Sequence, residues 1–334
     1  MNTPTIKEVA KAAGVSVATI SRVLSNPEVV KPVTREHVLK IIEEMDYRPN
    51  VLARQFRTQA TKTFVVIVPS IENSFLRGVV TGIGIEAEQH DYQMLIADLH
   101  SQPSLERYYL EAIQQRQVDG IISLSTKMAQ KITTHVAEKY PLVMAAQYVL
   151  DSTIPSVSID NIAASKALMT HLVRLGHCNI AHITATPDQI PYQDRLNGYR
   201  EVLLEHNIKI DEELISFGEP GILGGYNQMW HLLAKQKEIT AVFAAGDTMA
   251  IGAIKALRDQ GLKVPEDCAV VGFDDIDLSQ FWFPALTTIR QPTEMIGRTA
   301  FQKLLALIQN ESTSNVHEIL PYELVIRESC GYFL

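Results

Sequence analysis

Cysteine is scarce in this 334-residue sequence, and long apolar runs are missing from it. Its three cysteines, Cys178, Cys268 and Cys330, are far apart and odd in number, which excludes a disulfide framework and indicates reduced thiols. No apolar run approaches the roughly 18–20 residues that a membrane-spanning helix needs. The first residues, 1–4, lack the basic and apolar regions of a signal peptide. We therefore expect a cytoplasmic protein with no membrane partner.

Signatures of catalysis are also missing. There is no Walker loop, no Gly-x-Ser-x-Gly elbow and no pair of carboxylates with a recognisable partner. Residues 82–87 fit a dinucleotide fingerprint only loosely, because they lie about a dozen residues past the preceding strand, inside a helical run. The cluster His171, His177, Cys178 and His182 spans a helix end, a turn and a strand, which do not share one face. The sequence therefore predicts no enzyme activity, no cofactor and no metal site.

The charge is unevenly distributed along the chain. The whole sequence carries −8, with 46% hydrophobic and 20% charged residues, as in a globular protein. Residues 1–60 hold nine Lys and Arg against six Asp and Glu, a net of +3, so the remainder carries −11. At this length two or three domains are expected. A basic head on an acidic body favours a small nucleic-acid module attached to a larger domain.

Two short helical patterns joined by a glycine occupy the first 24 residues. Thr5 and Glu8 are spaced as a capping box for the first helix, Gly14 supplies a turn with positive φ, and Ser16 caps the second helix. The predicted buried positions are Ile6, Val9, Ala10 and Ala13 in the first helix and Ile20, Val23 and Leu24 in the second.

The outward positions of the second helix are short or hydroxylated, with one arginine: Val17, Ala18, Thr19, Ser21 and Arg22. Such a surface suits close approach to base edges and phosphates in a DNA major groove. Taken alone, the same spacing fits an ordinary helical hairpin equally well.

After the head the hydrophobic pattern changes. A third helix is predicted from about Thr34, a short helical stretch at 51–57 and a polar linker at 58–63. Strands and helices then alternate, which indicates parallel sheet covered on both faces. Predicted strands are at 64–69, 93–97, 120–124, 142–144, 156–160, 179–184, 214–217, 241–245, 268–273 and within 316–326. The segment between the first strand and about residue 90 is predicted to be helical, and further helices are at 107–116, 128–138, 162–175, 195–206, 224–235, 248–260 and 293–309. Two consecutive open α/β units predict a two-lobed clamp that holds a ligand at the carboxyl ends of its strands.

An ordered set of motifs identifies a resemblance that covers essentially the whole chain. They are residues 5–10, 15–24, 47–50, 53–54, 158–161, 195–199, 271–275 and 286–292. With them the sequence resembles the lac repressor family of transcription regulators. Residues 264–267 and 276–281 look most similar to members of that family that respond to cytidine.

The resemblance implies an all-α helix-turn-helix domain at 1–48, a hinge helix and linker at 49–62, and a two-lobed domain at 63–334 that is similar to periplasmic binding proteins. Lobe one would comprise about 63–160 and 291–320, and lobe two about 161–290 and 321–334. It also implies a homodimer on a pseudo-palindromic double-stranded DNA operator, with other transcription factors as further candidate partners. A small-molecule effector would change the affinity for DNA. A nucleoside is the favoured candidate, and a purine, ribose or another sugar is the alternative.

Candidate DNA-binding residues follow from these motifs and from the outward helix face. They are Thr5, Ser16, Val17, Ala18, Thr19, Ser21, Arg22, Tyr47, Asn50, Ala53, Arg54 and Phe56. Segment 50–56 is too short to be helical alone, so dimer contacts or DNA must fold it. Phe56 stands where many relatives carry a leucine wedge; it either wedges a base step or packs the linker on the core.

Four residues are candidates for the effector site: Phe75, Gln147, Arg195 and Asp274. Arg195, expected at a helix start, and Asp274, expected at a strand end, suit the hydroxyls of a ribose or sugar, and the alternative is a salt bridge between lobes. Phe75 would stack on a ring or belong to the core. Gln147 would hydrogen-bond to the edge of a base, or it would be an ordinary loop residue with no part in binding. The loop 186–194 is one residue shorter than in near relatives, which weakens the assignment of the ligand.

Overall fold

The computed structural model describes residues 4–47, 60–99, 115, 117–125, 136–186, 189–311 and 316–332. The chain divides into two compact units, Met1–Thr61 and Lys62–Leu334. The predicted helix at 107–116, most of that at 128–138 and the predicted hinge helix lie outside the described residues.

The first unit contains three helices, α1 (Ile6–Ala12), α2 (Val17–Ser25) and α3 (Pro32–Glu44), with a 3-10 turn at Pro27–Val29. Pro32 starts α3 at a position where its missing N–H costs nothing. The helices enclose a small apolar core made of Val9, Ala10, Ala13, Ile20, Val23, Val38 and Tyr47.

Lobe one of the second unit is built on a parallel sheet. Its strands are β1 (Thr63–Val68), β2 (Gln93–Asp98), β3 (Gly120–Ser123), β4 (Leu142–Ala145), β5 (Ser156–Ile159) and, much later in the chain, β11 (His317–Leu320). Their order is β11-β5-β4-β3-β1-β2. Two helices, α4 (Ser74–Gln89) and α10 (Thr293–Ile308), pack against each other and cover one face through residues such as Val79, Ile83 and Phe301.

Lobe two repeats the plan with a four-stranded parallel sheet in the order β7-β6-β8-β9. Its strands are β6 (Ile180–Thr184), β7 (Ile215–Phe217), β8 (Ala241–Ala244) and β9 (Ala269–Val271). One face carries α5 (Asn161–Arg174) and α6 (Ile190–Glu205), and the other carries α7 (Ile222–Ala234) and α8 (Asp247–Asp259). A short helix, α9, spans Asp277–Phe281.

The chain passes between the lobes after β5 and again on either side of α10 and β11. The antiparallel pair β10 (Thr288–Arg290) and β12 (Glu323–Val325) packs with lobe two, whereas α10 and β11 pack with lobe one. The predicted alternation of strands and helices is therefore confirmed. Two predicted bounds were wrong: α6 begins at Ile190 rather than 195, and β9 ends at Val271 rather than 273. Pro191 does not delay α6, because proline is tolerated in a first turn.

Candidate DNA-binding and effector sites

The start of α1 is fixed by a reciprocal cap between Thr5 and Glu8. The Thr5 N–H donates to Glu8 Oε2 over 2.6 Å, and the Glu8 N–H donates to Thr5 Oγ1 over 3.4 Å. The Thr5 N–H and the Thr5 hydroxyl, which also donates to Oε2 over 2.9 Å, favour the charged carboxylate and lower the pKa of Glu8. The predicted capping box is confirmed, and it defines where the helix-turn-helix begins.

The turn between α1 and α2 depends on Gly14 and Ser16. Gly14 has φ +64°, a conformation that costs glycine little, and Ser16 then caps α2 by accepting a hydrogen bond from the Thr19 N–H over 3.1 Å. Both predictions are confirmed. Together these two residues set the direction in which α2 leaves the turn.

The outer surface of α2 carries the predicted contact residues. Val17, Ala18 and Arg22 are exposed, while Thr19 and Ser21 are half-buried. Ile20 and Val23 are buried as predicted, but Leu24 is 36% exposed, so its assignment to the buried face was wrong. The core of three short helices is too small to cover this edge of α2. Arg22 is the only charged side chain of α2.

Tyr47 belongs to the packing of the first unit. Its side chain is 9% exposed and lies in the apolar core, and burial raises the pKa of its hydroxyl. This burial argues against the predicted contact of its ring with DNA. The remaining candidates, Asn50, Ala53, Arg54 and Phe56, lie outside the described residues.

Arg195 is held in lobe two by bonds from all three of its guanidinium nitrogens. Nε donates to Asn161 Oδ1 over 3.0 Å, Nη1 to the Ala245 carbonyl over 2.5 Å, and Nη2 to Asp274 Oδ1 over 3.3 Å. The guanidinium also lies 3.7 Å from the centre of the Phe273 ring. Arg195 sits in the second turn of α6 rather than at its start, and only 6% of it is exposed. The group is therefore oriented in advance and not free to rotate.

Asp274 faces Arg195 from a strained turn beyond β9, not from the strand end that the sequence predicted. Its φ is +115°, which only a strongly constrained side-chain-bearing residue adopts. Oδ1 accepts hydrogen bonds from Arg195 and from Gln291 Nε2, the latter over 2.7 Å. Burial raises the pKa of Asp274 to about 6, although Arg195 and Gln291 oppose the shift. Its other oxygen, Oδ2, accepts no hydrogen bond from a described residue. Gly246 lies beside this oxygen, since a Cβ added to that glycine would be 3.7 Å from Oδ2.

Asp247, the first residue of α8, supports this turn and was not found from the sequence. Its carboxylate accepts hydrogen bonds from the Ile276 N–H over 2.9 Å, Ser279 Oγ over 2.7 Å and Thr288 Oγ1 over 2.6 Å. Burial and the nearby charge of Asp274 raise its pKa to about 7. An acidic residue opening a helix directly after a buried strand was the available signal.

Phe75 and Gln147 lie in lobe one. Phe75 is half-buried at the start of α4 and packs against the lobe's core. Gln147 donates from Nε2 to the Leu124 carbonyl over 2.6 Å, while its buried Oε1 has no hydrogen-bond partner. Among the described residues no hydrogen bond or ring contact joins either side chain to Arg195 or Asp274. The structure thus brings together two of the four predicted effector residues.

Within the described ranges, two side-chain contacts join the lobes near these residues. The Tyr148 hydroxyl of lobe one donates to Asp194 Oδ2 of lobe two over 2.8 Å. Arg77 in α4 forms an exposed ion pair with Asp277 in α9. The predicted alternative for Arg195 and Asp274, a salt bridge between lobes, was wrong, because both residues belong to lobe two.

In the described part of the chain, no group of three or more His, Cys, Asp or Glu is arranged to hold a metal ion. His182 points into the core of lobe two, where its Nδ1 donates to the Phe243 carbonyl over 2.9 Å and burial lowers its pKa to about 3. Of the helices that the structure describes, none is long and apolar enough to cross a membrane.

Comparison with known proteins finds two family matches. The family described as bacterial regulatory proteins, lacI family, matches residues 5–50, and the periplasmic binding protein-like domain matches residues 169–330. The chain is 36% identical over 326 residues to the HTH-type transcriptional regulator RegA of Clostridium saccharobutylicum, covering 97% of this chain and 98% of that protein. It is 37% identical over 327 residues to the HTH-type transcriptional repressor CytR of Escherichia coli (strain K12), covering 97% and 96%.

Solved structures give the same match over the full length. The lac repressor dimer bound to operator and the anti-inducer ONPF superimposes with a TM-score of 0.89 at 27% identity, covering 98% of this chain and 99% of that one. The complex of the transcriptional regulator CelR with cellobiose has a TM-score of 0.75 at 32% identity, covering 98% and 99%. The relatives named here are transcription regulators, not enzymes.

Proposed function

The chain belongs to the lacI family of bacterial regulatory proteins, and we propose that it is a repressor whose affinity for its operator is set by a nucleoside such as cytidine. DNA binding and transcription regulation follow from membership of the family. A solute-binding transport protein with the same two-lobed domain is an alternative, but it does not account for the helix-turn-helix match at residues 5–50.

The DNA half of the proposal is that α2 enters the major groove of each operator half-site. Val17 and Ala18 cannot hydrogen-bond through their side chains, so they would meet thymine methyls or exclude other bases. Arg22, exposed and without a competing charge on α2, would bind guanine O6 and N7. Segment 50–56 would fold as a hinge helix against the minor groove.

The main support for the part of the proposal that concerns the effector is the fixed carboxylate of Asp274. Arg195 and Gln291 hold Oδ1 at 3.3 and 2.7 Å, while Oδ2 accepts no hydrogen bond from a described residue and lies 3.7 Å from the position that a Cβ on Gly246 would take. An acceptor oriented in this way suits the hydroxyl donors of a ribose. The unpartnered Oε1 of Gln147 would accept a hydrogen bond from a base amine, and Phe75 would stack on the base.

A second candidate is a sugar without a base. CelR, 32% identical, was solved with cellobiose, and a LacI-family regulator from Enterococcus faecium, 26% identical, was solved with ribose. The pair Arg195–Asp274 suits the hydroxyls of either class, so the base is what separates the candidates. Gln147 favours the nucleoside, because its buried acceptor gains a partner only from a ligand that reaches lobe one.

We also infer that the protein acts as a homodimer on a two-fold operator. Lobe two exposes large apolar side chains close to α7 and α8: Leu223 is 71% exposed, Phe281 79% and Phe283 73%, and Phe283 lies 5.4 Å from the Arg258 guanidinium. Apolar exposure of this kind is typical of a surface that another subunit covers. The operator-bound lac repressor to which the chain is similar is itself a dimer.

Calorimetric titration with cytidine, adenosine, ribose and cellobiose tests the proposal, together with operator affinity at saturating ligand. An operator duplex is first selected from random DNA with the full-length protein. We expect cytidine to bind at least tenfold more tightly than ribose and to change operator affinity. Equal affinity for ribose and cytidine would assign the site to sugars, and failure to select any DNA sequence would overturn the repressor assignment itself.

A further inference from the structure

A cavity of about 620 Å³ opens beside β5 and β11, and it borders the effector residues described above at Asn161, which accepts the hydrogen bond from Arg195 Nε. Its lining includes none of Phe75, Gln147, Arg195 or Asp274. Cavities of 300–1,000 Å³ are the usual size for small-molecule sites. Nothing in the proposed nucleoside function uses this space.

The floor of the cavity is a pair of strands whose side chains alternate between faces. β5 and β11 run parallel with Ser156 opposite His317 and Ser158 opposite Ile319, and all four residues line the cavity. Ser156 Oγ and His317 Nδ1 are hydrogen-bonded at 2.8 Å. Ser158, by contrast, is 2% exposed, and its hydroxyl has no hydrogen-bond partner among the described residues. A buried hydroxyl facing a cavity without a partner indicates a missing polar ligand group.

The walls are acidic. Asp151, Asp160 and Asp194 line the cavity, and no lysine or arginine is among its described lining residues. Burial and the nearby charge of Asp160 raise the pKa of Asp194, although the Tyr148 hydrogen bond and the charge of Arg195 oppose the shift. The Tyr148 hydroxyl, bonded to Asp194 over 2.8 Å, satisfies only one of the carboxylate oxygens. A positive charge between these groups would relieve their repulsion.

The lining also includes apolar side chains, Val149, Leu150, Ile159 and Ile162, beside the polar Ser152, Thr153 and Asn161. A bare metal ion does not match such a surface, and the described residues hold no cluster of metal ligands. Methylene groups attached to a cation would pack against the apolar side chains while the charge meets the carboxylates.

We propose that this cavity is a second ligand site, which takes a small organic amine whose charge lies between Asp160 and Asp194 and which donates a hydrogen bond to Ser158. The site lies where the Tyr148–Asp194 bond joins the two lobes, so an occupant contacts both of them. It is chemically distinct from the nucleoside site, which offers a guanidinium as well as a carboxylate.

The test is calorimetric titration of the full-length protein with spermidine, with 1,6-hexanediol as an uncharged chain of comparable apolar character. Asp160→Asn removes one charge but retains the helix cap that Asp160 Oδ1 gives to the Ala163 N–H. Asp91→Asn removes an exposed charge elsewhere, at φ +58°, which asparagine tolerates. Ser158→Ala removes only the unpartnered hydroxyl.

We expect spermidine to bind at one site and hexanediol not to bind. Asp160→Asn should weaken spermidine binding at least tenfold and Ser158→Ala about threefold, whereas Asp91→Asn should leave it unchanged. Equal weakening by Asp160→Asn and Asp91→Asn would show non-specific attraction to an acidic protein and overturn the proposal. Absence of spermidine binding, or equal binding of hexanediol, would do the same.

Discussion

Thr288 donates its hydroxyl proton to the carboxylate of Asp247 over 2.6 Å, which joins β10 to the first residue of α8. The same carboxylate accepts from Ile276 and Ser279, and the Asp247 N–H donates to the Phe273 carbonyl over 2.8 Å, so Asp247 holds the chain on both sides of Asp274. Asp274 and Asp275 both have positive φ, at +115° and +53°. Such strain persists only where surrounding bonds over-determine the backbone.

Thr288→Val should therefore destabilise the protein although it preserves the shape of the side chain. It leaves a buried carboxylate oxygen without its shortest donor, which costs about 1–3 kcal/mol. Urea unfolding measures the loss. Thr240→Val is the matched control, because the Thr240 hydroxyl makes only a long 3.4 Å bond to the Asn179 carbonyl. A similar loss in both variants would contradict the role given to Asp247.

Asp247 also predicts how stability depends on pH. Its pKa is about 7 in the folded protein, above the ordinary 3.8, so the folded state binds a proton more readily than the unfolded chain. Stability from this group is therefore present at low pH and is lost as pH rises toward 7, by up to about 1.4 kcal/mol per pH unit. Asp247→Asn removes this dependence. The stability gap between parent and variant, measured by urea unfolding, should widen between pH 7 and pH 5; a constant gap would refute the assignment.

Local features of the chain were predictable and distant ones were not. The caps at Thr5 and Ser16 were predicted because donor and acceptor lie three residues apart. The partners of Asp247 lie 29 to 41 residues away, so no local pattern reports them. Strand and helix alternation predicted the lobes, because burial on both faces of a sheet leaves continuous apolar runs.

Arg195 and Asp274 illustrate the same limit within the proposed effector site. The motifs predicted that both residues belong to it, but not how they are held. The bond of Gln291 to Asp274 and the approach of the Ala245 carbonyl to Arg195 come from segments that meet only in the folded chain. The exposure of Leu24 was missed for a different reason, since helical periodicity does not report how far a small core extends.

Arg22→Ala should relax base preference at one G·C position in each operator half-site. Losing a bidentate contact to guanine costs about 1–3 kcal/mol at that position. Affinities for operator variants with each base substituted there provide the measurement. Lys11→Ala, which removes a basic residue in the last turn of α1, serves as the control for charge alone. Equal weakening on every sequence would make Arg22 a phosphate contact instead.

Phe56→Ala tests the hinge. If the ring wedges the central base step, the variant should lose specific affinity while dimerisation and effector binding stay intact. Operators with a flexible pyrimidine–purine step at the centre should bind the parent best, because such steps unstack at least cost. Electrophoretic mobility-shift assays with operators that differ in their central base step measure both effects. Unchanged affinity for Phe56→Ala would assign the ring to linker packing.

The switch itself is tested at Asp274, whose carboxylate is held by Arg195. A ligand changes operator affinity only through a difference in its own affinity for the two states of the protein. Asp274→Asn replaces the acceptor that the effector needs, whereas the α2 surface belongs to the other unit of the chain. We therefore expect Asp274→Asn, and likewise Arg195→Ala, to dimerise and bind operator as the parent does.

Both variants should then require at least tenfold more cytidine to change operator affinity, a loss of about 1.4 kcal/mol or more in effector binding. Asp91→Asn, an exposed change away from the site, should respond as the parent does. Operator affinity is measured for each protein across a cytidine titration. A variant that responded at the parent's cytidine concentration would place the effector elsewhere, because the carboxylate that carries the nucleoside proposal would then be dispensable.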